Sequence, residues 1–170
     1  IGLDQDEAAV ARSRERLAGY GKRAVIRQAN FRDVTRVLAD LGIDALDGVL
    51  LDLGLSWFHL RDPERGFSFQ AEGPLDMRMN AGSTTTAADL VNTLPRQELA
   101  RIIREYGEEK KANAIAKAIE RARGRGPITS TVQLAQIVSS VFPPYPPRRT
   151  HPATLTFQAL RIAVNDEMAA

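Results

Sequence analysis

The segment Asp47–Asn80 reads DGVLLDLGLSWFHLRDPERGFSFQAEGPLDMRMN, and it carries the strongest structural signal in the chain. It begins with an apolar run over residues 49–53 that only Asp52 interrupts. A short apolar run without alternation is typical of a strand buried on both faces of a parallel sheet, so we predict a strand over Asp47–Leu53. Asp52 then lies at the carboxyl end of that strand, where open α/β sheets bind their ligands. We interpret Asp52 as a ligand contact, the alternative being a carboxylate satisfied by nearby backbone amides.

About two dozen residues that follow Gly54 show neither helical nor strand periodicity. They are rich in Gly, Pro and Arg, yet they include large apolar side chains such as Phe67, Phe69 and Met77. Loops of this length in a compact domain are usually functional or disordered. Disordered segments are poor in large apolar residues, so we predict an ordered active-site loop.

The residues before this segment alternate between strand and helix patterns. Ile1–Asp4 resembles the end of a strand, and Ala24–Gln28 predicts a second one. Helices are predicted over Gln5–Leu17 and between Val34 and Leu41, where apolar residues recur at helical spacing. Such alternation indicates a parallel sheet with right-handed crossovers. Three strands do not complete such a sheet, so we expect the chain to be a fragment of a longer protein.

After the loop the pattern is entirely helical. The predicted helices cover Thr86–Leu94, Pro95–Tyr106, Glu108–Arg123, the residues from Ser130 to Val141, and those after Pro152. Apolar residues at helical spacing predict their inward faces, among them Leu99, Ile102, Ile103, Ile115, Ile119, Leu134, Val138, Phe157, Leu160 and Met168. The cations of the third of these helices are predicted to face largely outward: Lys110, Lys111, Lys117, Arg121 and Arg123. Ser130 and Gln133 have the spacing of a capping box. Between the last two helices, the proline-rich segment Phe142–Thr150 predicts a stiff, basic connector.

Composition restricts the possible function classes. The 170 residues are 44% hydrophobic and 26% charged, which is typical of a soluble globular protein. The chain has no cysteine, which excludes disulfides and thiolate metal ligands, and no apolar run approaches membrane-spanning length. Residues 96–149 carry eleven Lys and Arg against five Glu, whereas the remainder carries twelve against sixteen acids. This asymmetry indicates an acidic partner for the helical part.

Two further positions could contact a ligand. Asp4 lies at the end of a strand of an α/β unit, where a carboxylate can accept hydrogen bonds from ribose hydroxyls. The alternative is that Asp4 is the acid at a helix N-terminus, although Asp6 or Glu7 could fill that role instead. Phe31 also follows a strand end and could stack on a base or simply cover the core. His59 and His151 have no acids at metal-ligand spacing, so we predict no metal site.

Five motifs stand out along the chain: DLGLS at 52–56, DPERGFSF at 62–69, GPLDMRM at 73–79, YGEEK at 106–110 and HPATLTFQALRIAVNDE at 151–167. Together they resemble the MraW family of ribosomal RNA methyltransferases. Members of that family use S-adenosylmethionine to methylate N4 of a cytosine in the decoding centre of small-subunit rRNA. The likeness covers most of the chain from Asp47 onward.

The resemblance implies an α/β fold in which an all-helical domain is inserted into a Rossmann-like methyltransferase domain. Residues 1–83 and 148–170 would be the partial Rossmann-like domain, and residues 84–147 would be the inserted RNA-binding domain. The family's glycine-rich first motif and its last strands have no counterpart here, so the fragment alone is expected to be inactive. The implied partner is small-subunit rRNA or the assembled small ribosomal subunit, with a homodimer possible and no membrane. The implied compartment is the bacterial cytoplasm, or the mitochondrial matrix for an organellar homologue.

The resemblance also assigns roles residue by residue. Asp4, Phe31 and Asp52 match positions that contact the methyl donor. The family usually continues DLGVSSPQL, so His59 stands at a glutamine that also touches the donor, and Trp57 and Phe58 replace a Ser-Pro pair.

A second set of positions would act on the RNA. Cytosine's exocyclic amine is a weak nucleophile because its lone pair is delocalised into the ring. A carboxylate that accepts hydrogen bonds from this amine can free the lone pair. Asp52 is the first candidate for this carboxylate and Asp76 is the second. The unstacked cytosine would need to be held. The candidates for holding the RNA are Arg65, Phe67, Phe69 and Arg78 in the loop, and Lys110 and Lys111 on the basic helix, where they could contact phosphates.

Two other functions compete with this interpretation. A non-catalytic module could use the basic helical part to bind RNA without any donor. A nicotinamide-dependent oxidoreductase half is compatible with the strand-and-acid pattern but leaves the loop unexplained.

Overall fold

The computed structural model describes residues 1–144 and 150–168. These residues form two compact units, Ile1–Gly54 with Met79–Gly82, and Leu55–Arg78 with Ser83–Met168. The strands are β1 (Gly2–Asp4) and β2 (Ile26–Gln28). The helices are α1 (Glu7–Leu17), α2 (Val34–Asp40), α3 (Trp57–Arg61), α4 (Ala87–Thr93), α5 (Arg96–Glu105), α6 (Ala112–Arg123), α7 (Thr131–Ser139) and α8 (Thr154–Asn165). Short 3₁₀ turns cover Ala18–Arg23, Phe31–Asp33 and Pro63–Arg65.

The first unit is built on a small parallel sheet. β1 and β2 pair in register, with Gly2 opposite Ile26 and Asp4 opposite Gln28. α1 connects the two strands and packs on both of them, with Val10 buried. The predicted strand–helix–strand unit and its parallel pairing are therefore confirmed, and the fold is mixed α/β.

The predicted strand over Asp47–Leu53 is wrong. The structure assigns no strand there, and the apolar side chains are exposed, with Leu50 92% exposed. An isolated strand leaves its backbone donors and acceptors unpaired. Within the described residues the sheet has two strands, and neither pairs with this run. Asp52 consequently does not lie at the end of a sheet strand.

The second unit is helical. α5 packs on α6 and α8, and α6 packs on α7 and α4. The predicted inward faces are largely confirmed by the buried side chains Leu99, Ile102 and Ile103 of α5, Ile115 and Ile119 of α6, Leu134 and Val138 of α7, and Phe157 and Leu160 of α8. Met168, predicted on the buried face of the last helix, is exposed because α8 ends at Asn165 and Asp166 adopts a left-handed conformation.

Ser130 begins α7 as its spacing predicts. Its hydroxyl accepts a hydrogen bond from the backbone amide of Gln133 at 3.2 Å. The Gln133 side chain accepts in turn from the backbone amide of Thr129 at 3.0 Å. The proline connector cannot be compared in the same way, because residues 145–149 lie outside the described residues.

The loop before α4 is ordered, as predicted, and all of it except Met79–Gly82 belongs to the helical unit. Its backbone is bonded to the segment before α7 through Leu75 N to Thr129 O at 2.9 Å and to the start of α4 through Ala87 N to Asp76 O at 2.7 Å. Because this unit also contains α8, it includes residues that the predicted division placed in the Rossmann-like domain. The inserted-domain boundaries stay a prediction. The prediction that the loop contains no helix is wrong, since α3 lies at its beginning.

Two glycines let the loop fold back on itself. Gly66 has a φ of 70°, and a Cβ at this position would clash with the carbonyl oxygen of Pro74. A Cβ at Gly73 would clash with the carbonyl oxygen of Pro63. The two arms of the loop therefore meet backbone to backbone, which only glycine permits at these positions.

We predict that Gly66→Ala destabilises the helical unit by more than about 2 kcal/mol, because it combines a left-handed backbone with a steric clash. Urea unfolding monitored by helical circular dichroism measures the effect. Gly124→Ala is the matched control: Gly124 has helical φ/ψ and a Cβ there meets only ordinary contacts, so its stability should stay within about 0.5 kcal/mol. Equal stability of the two variants would contradict the proposed role of the crossing.

Candidate functional site

The carboxyl edge of the sheet brings two of the predicted contacts together. Asp4 ends β1 opposite Gln28, the last residue of β2, and its carbonyl accepts from the amide of Ala29 at 3.0 Å. Phe31 begins the 3₁₀ turn that follows, and Asn30 caps this turn by accepting from the amide of Arg32 at 3.1 Å. Asp4 and Phe31 thus lie at the same end of the parallel pair, where such sheets bind ligands.

The carboxylate of Asp4 is not needed to cap α1. Asp6 does so, since its side chain accepts from the amide of Ala8 at 3.0 Å. Asp4 is exposed, and one of its carboxylate oxygens accepts from the amide of Asp6 at 2.8 Å. Among residues 1–144 and 150–168 nothing donates to its other carboxylate oxygen. This oxygen is available to a hydroxyl group of a ligand.

Asp52 is placed differently from the expectation. It is exposed and lies in the unpaired run that follows Asp47. No group in the described part of the chain donates a hydrogen bond to its side chain. The structure therefore leaves Asp52 available to a ligand, but not at the carboxyl end of a sheet strand, where it was expected.

Asp76 and Arg78 form a tight ion pair within the loop. The Asp76 carboxylate accepts from Nε of Arg78 at 2.8 Å and from Nη2 at 2.7 Å, and also from the backbone amide of Arg78 at 2.9 Å. Burial opposes ionisation of Asp76. The hydrogen bonds and charge of Arg78, with the charge of Arg65, outweigh it and hold the pKa of Asp76 below its ordinary value. The Asp76 carboxylate therefore orients the Arg78 guanidinium, whose Nη1 also donates to the carbonyl of Ser83 at 2.7 Å.

The other loop residues predicted to hold RNA contact groups of the helical unit, with Phe67 buried and Arg65 and Phe69 half-buried. Arg65 donates to the carbonyl of Arg78 at 3.1 Å, and its guanidinium lies 5.8 Å from the centre of the Phe67 ring. Phe67 is only 5% exposed. Phe69 stacks on His151 with ring centres 4.5 Å apart and meets Phe157 edge-on at 4.8 Å. These contacts anchor the loop to α8 and its preceding turn; their predicted contacts with RNA stay predictions.

His59 is an internal anchor of α3. Its Nδ1 accepts from the amide of Ser56 at 3.3 Å, while the hydroxyl of Ser56 accepts from the amide of His59 at 3.4 Å. The buried imidazole also lies 5.1 Å from the Phe67 ring, centre to centre. Ser56, a residue type preferred at the N-cap, was the sequence signal for this missed helix. The donor contact of His59 stays a prediction.

The basic side chains of the helical unit fall into two groups. Lys110, Lys117 and Arg121 are exposed, as predicted. Lys111 is exposed too, but its amine donates to the carbonyl of Val141 at 3.2 Å and lies 4.7 Å from the centre of the Phe142 ring. Arg123, which was predicted to face outward, instead donates to two carbonyls at the end of α4, at 2.9 and 2.8 Å. The prediction for Arg123 is wrong because its side chain donates hydrogen bonds to carbonyls that have no partner within the last turn of a helix.

Within residues 1–144 and 150–168, no helix has the length and apolar character needed to cross a bilayer. Nor do three or more histidine and carboxylate side chains gather there in an arrangement that could hold a metal ion.

Comparison with known proteins places this geometry in a family. The chain is 55% identical over 169 residues to a protein of Geobacter sulfurreducens named ribosomal RNA small subunit methyltransferase H, covering 99% of this chain and 54% of that protein. Proteins of the same name from Geotalea daltonii and Carboxydothermus hydrogenoformans are 53% and 51% identical, with the same coverage. The chain thus spans about half the length of the curated relatives it matches. The model of the MraW methylase family matches residues 1–170, and the chain belongs to that family.

Proposed function

We propose that this chain is part of an S-adenosylmethionine-dependent enzyme that methylates the N4 amine of a cytosine in the decoding centre of small-subunit rRNA. The relatives' name supports rRNA of the small subunit as the substrate. The available oxygen of Asp4 beside the Phe31 turn is the observation that carries the proposal. We also propose that the 170 residues do not methylate RNA by themselves.

The sheet edge has the chemistry to hold the nucleoside end of the donor. Asp4 offers an oxygen that accepts from a ribose hydroxyl, and Phe31, half-buried at the same edge, offers an aromatic ring to the adenine. When bound, S-adenosylmethionine would supply an electrophilic methyl group from its sulfonium.

Asp52 is the better candidate for the acceptor that frees the amine lone pair. An acceptor for the amine hydrogens needs an open carboxylate oxygen. The carboxylate of Asp76 already accepts three hydrogen bonds from Arg78, whereas Asp52 is exposed and receives none from the described residues. We assign the acceptor role to Asp52 and a loop-holding role to Asp76.

The basic helical part, proposed as the inserted domain over residues 84–147, would bind the rRNA backbone. Lys110, Lys117 and Arg121 are exposed, and no carboxylate of the described residues pairs with Lys110 or Lys117. Cations of this kind gain affinity for nucleic acid by releasing counterions from phosphates.

A non-catalytic RNA-binding module is the second candidate, because this basic surface would serve it equally. A chimera in which residues 1–170 replace the matching half of the Geobacter sulfurreducens relative distinguishes the two. Calorimetry with S-adenosylmethionine should show binding to the chimera, and transfer of a labelled methyl group to small ribosomal subunits should follow. RNA binding by a folded chimera without donor binding would favour the module.

We predict that Asp4→Ala in the chimera weakens S-adenosylmethionine binding by about 10- to 100-fold, because a hydrogen bond to a charged acceptor is lost. Calorimetry measures the change. Asp44→Ala, which removes another exposed acid of the same compact unit, should bind the donor as the parent does. Unchanged affinity in the Asp4 variant would rule out its role at the ribose.

We predict that Asp52→Ala slows single-turnover methyl transfer in the chimera by about 100-fold or more, and that this loss exceeds any loss of donor affinity. Asp47→Ala, an exposed acid five residues away in the same segment, is the control and should keep the parental rate. A parental rate in the Asp52 variant would remove it as the acceptor.

We predict that Lys110→Ala and Lys117→Ala each weaken binding of rRNA fragments and each lower the salt dependence of log K by about 0.7 to 0.9. A salt titration by fluorescence anisotropy measures both effects. Lys22→Ala, which removes an exposed lysine of the other unit, is expected to leave the slope unchanged. An unchanged slope in both helical variants would contradict the proposed RNA surface.

A further inference from the structure

α3 presents its apolar side chains to solvent and buries a polar one. Trp57 is 63% exposed and Phe58 61% exposed, and Leu60 is exposed as well. The buried side chain of this helix is His59, held by Ser56 and packed near Phe67. A large exposed apolar patch is informative where an isolated exposed residue is not, because such patches mark interaction sites.

A cation is built into this patch. Arg61 follows Trp57 by four residues, which places the two side chains on the same helical face. Its guanidinium lies 4.9 Å from the centre of the indole ring, within the range of a cation–π contact. Arg61 is exposed. The nearby carboxylate of Asp62 accepts from the amide of Glu64 at 3.1 Å, so it is directed into its own turn.

We propose that Trp57 and Arg61 form a stacking site for an unpaired nucleobase of RNA. Indole supplies an extended π surface on which any base can stack, and the guanidinium beside it can pair with the adjoining phosphate. This inference rests on the proposed function, because it takes RNA as the ligand. It adds a contact that the family pattern does not hold, since Trp57 and Phe58 stand where the family usually has Ser-Pro.

Charge favours RNA over a purely apolar occupant. A partner that buried the whole patch in a dry interface would also bury the Arg61 guanidinium, which costs free energy unless an anion accompanies it. A nucleotide brings a ring and an anion together. The site therefore matches the nucleotide in both shape and charge.

The packing also explains why Trp57 rather than Phe67 or Phe69 meets the base. Phe67 is buried, and Phe69 is already stacked on His151. The capping box between Ser56 and His59 and the packing of His59 near Phe67 hold α3 in place, so the exposed indole projects from an ordered helix. A preorganised aromatic side chain loses little conformational entropy when a base stacks on it.

Trp57 is the only tryptophan of the chain, so its fluorescence reports on the site directly. We expect an unstructured oligocytidylate, titrated into the chain at low salt, to quench the emission. An abasic oligonucleotide of the same length, which carries phosphates without bases, should bind without comparable quenching. Anisotropy of labelled oligonucleotides measures binding independently of the tryptophan.

Variants separate stacking from charge. Trp57→Leu should weaken oligocytidylate binding by about 5- to 100-fold, and Trp57→Phe should restore most of the affinity because a ring is retained. Arg61→Gln should weaken binding and lower its salt dependence. Leu46→Ala, which shortens an exposed apolar side chain of the other compact unit, is the control and should bind normally. Circular dichroism checks that each variant is folded, as expected for substitutions of exposed side chains.

Four results would overturn the stacking site. Binding of oligocytidylate without quenching, or with unchanged affinity in Trp57→Leu, rejects it while leaving the proposed function intact. A blue shift of the emission that grows with protein concentration in the absence of RNA would mean that a second copy covers the indole. Failure of both the chain and the chimera to bind any RNA rejects the stacking site together with the proposed function.

Discussion

The backbone crossing at Gly66 and Gly73 is the constraint on which the ordered loop depends. Each glycine lies against the carbonyl of a proline in the opposite arm, so the arms approach more closely than any side chain would allow. This approach accompanies the hydrogen bond from the Met77 amide to the Arg65 carbonyl, at 3.0 Å, and the pairing of Pro74 with Ser130. The Asp76–Arg78 ion pair then closes the end of the loop. Arg65, Phe67 and Arg78, which were predicted to hold RNA, thus also help to hold the loop, and their RNA contacts stay predictions.

Local signals along the sequence predicted much of the fold. Helical spacing identified the buried faces of α5, α6 and α7, and the Ser130–Gln133 spacing identified where α7 begins. These patterns succeed because a helix satisfies its own backbone and needs a neighbour only for its apolar face. The strand over Asp47–Leu53 was a different case, since a strand also needs partners for its backbone. Apolar composition shows that a segment is suited to burial, but it does not supply the neighbouring strands.

The sequence predicted that Asp4 and Phe31 lie at one edge of the sheet, but it did not predict which charged side chains are available to a ligand. Asp4 and Phe31 follow adjacent parallel strands, so their common edge follows from topology alone. Whether a side chain is engaged or available depends on contacts across the fold. Arg78 bonds to an acid two residues away, and Arg123 reaches carbonyls about thirty residues away, at the end of α4. No spacing rule distinguishes these arginines from the exposed Lys117.

Solvent exposure distinguishes the aromatic residue of α3 from the buried ring of Phe67. Phe67 and Trp57 are both aromatic residues of one loop, and only Phe67 was predicted from the sequence to hold RNA. In the structure Phe67 is 5% exposed and Trp57 63%. The buried ring contributes by excluding water from the loop's interior, whereas the exposed ring gains by being covered. Burial thus explains how the phenylalanine contributes to stability, while exposure supports the proposed role of the tryptophan, with the cation of Arg61 beside it, in recognition.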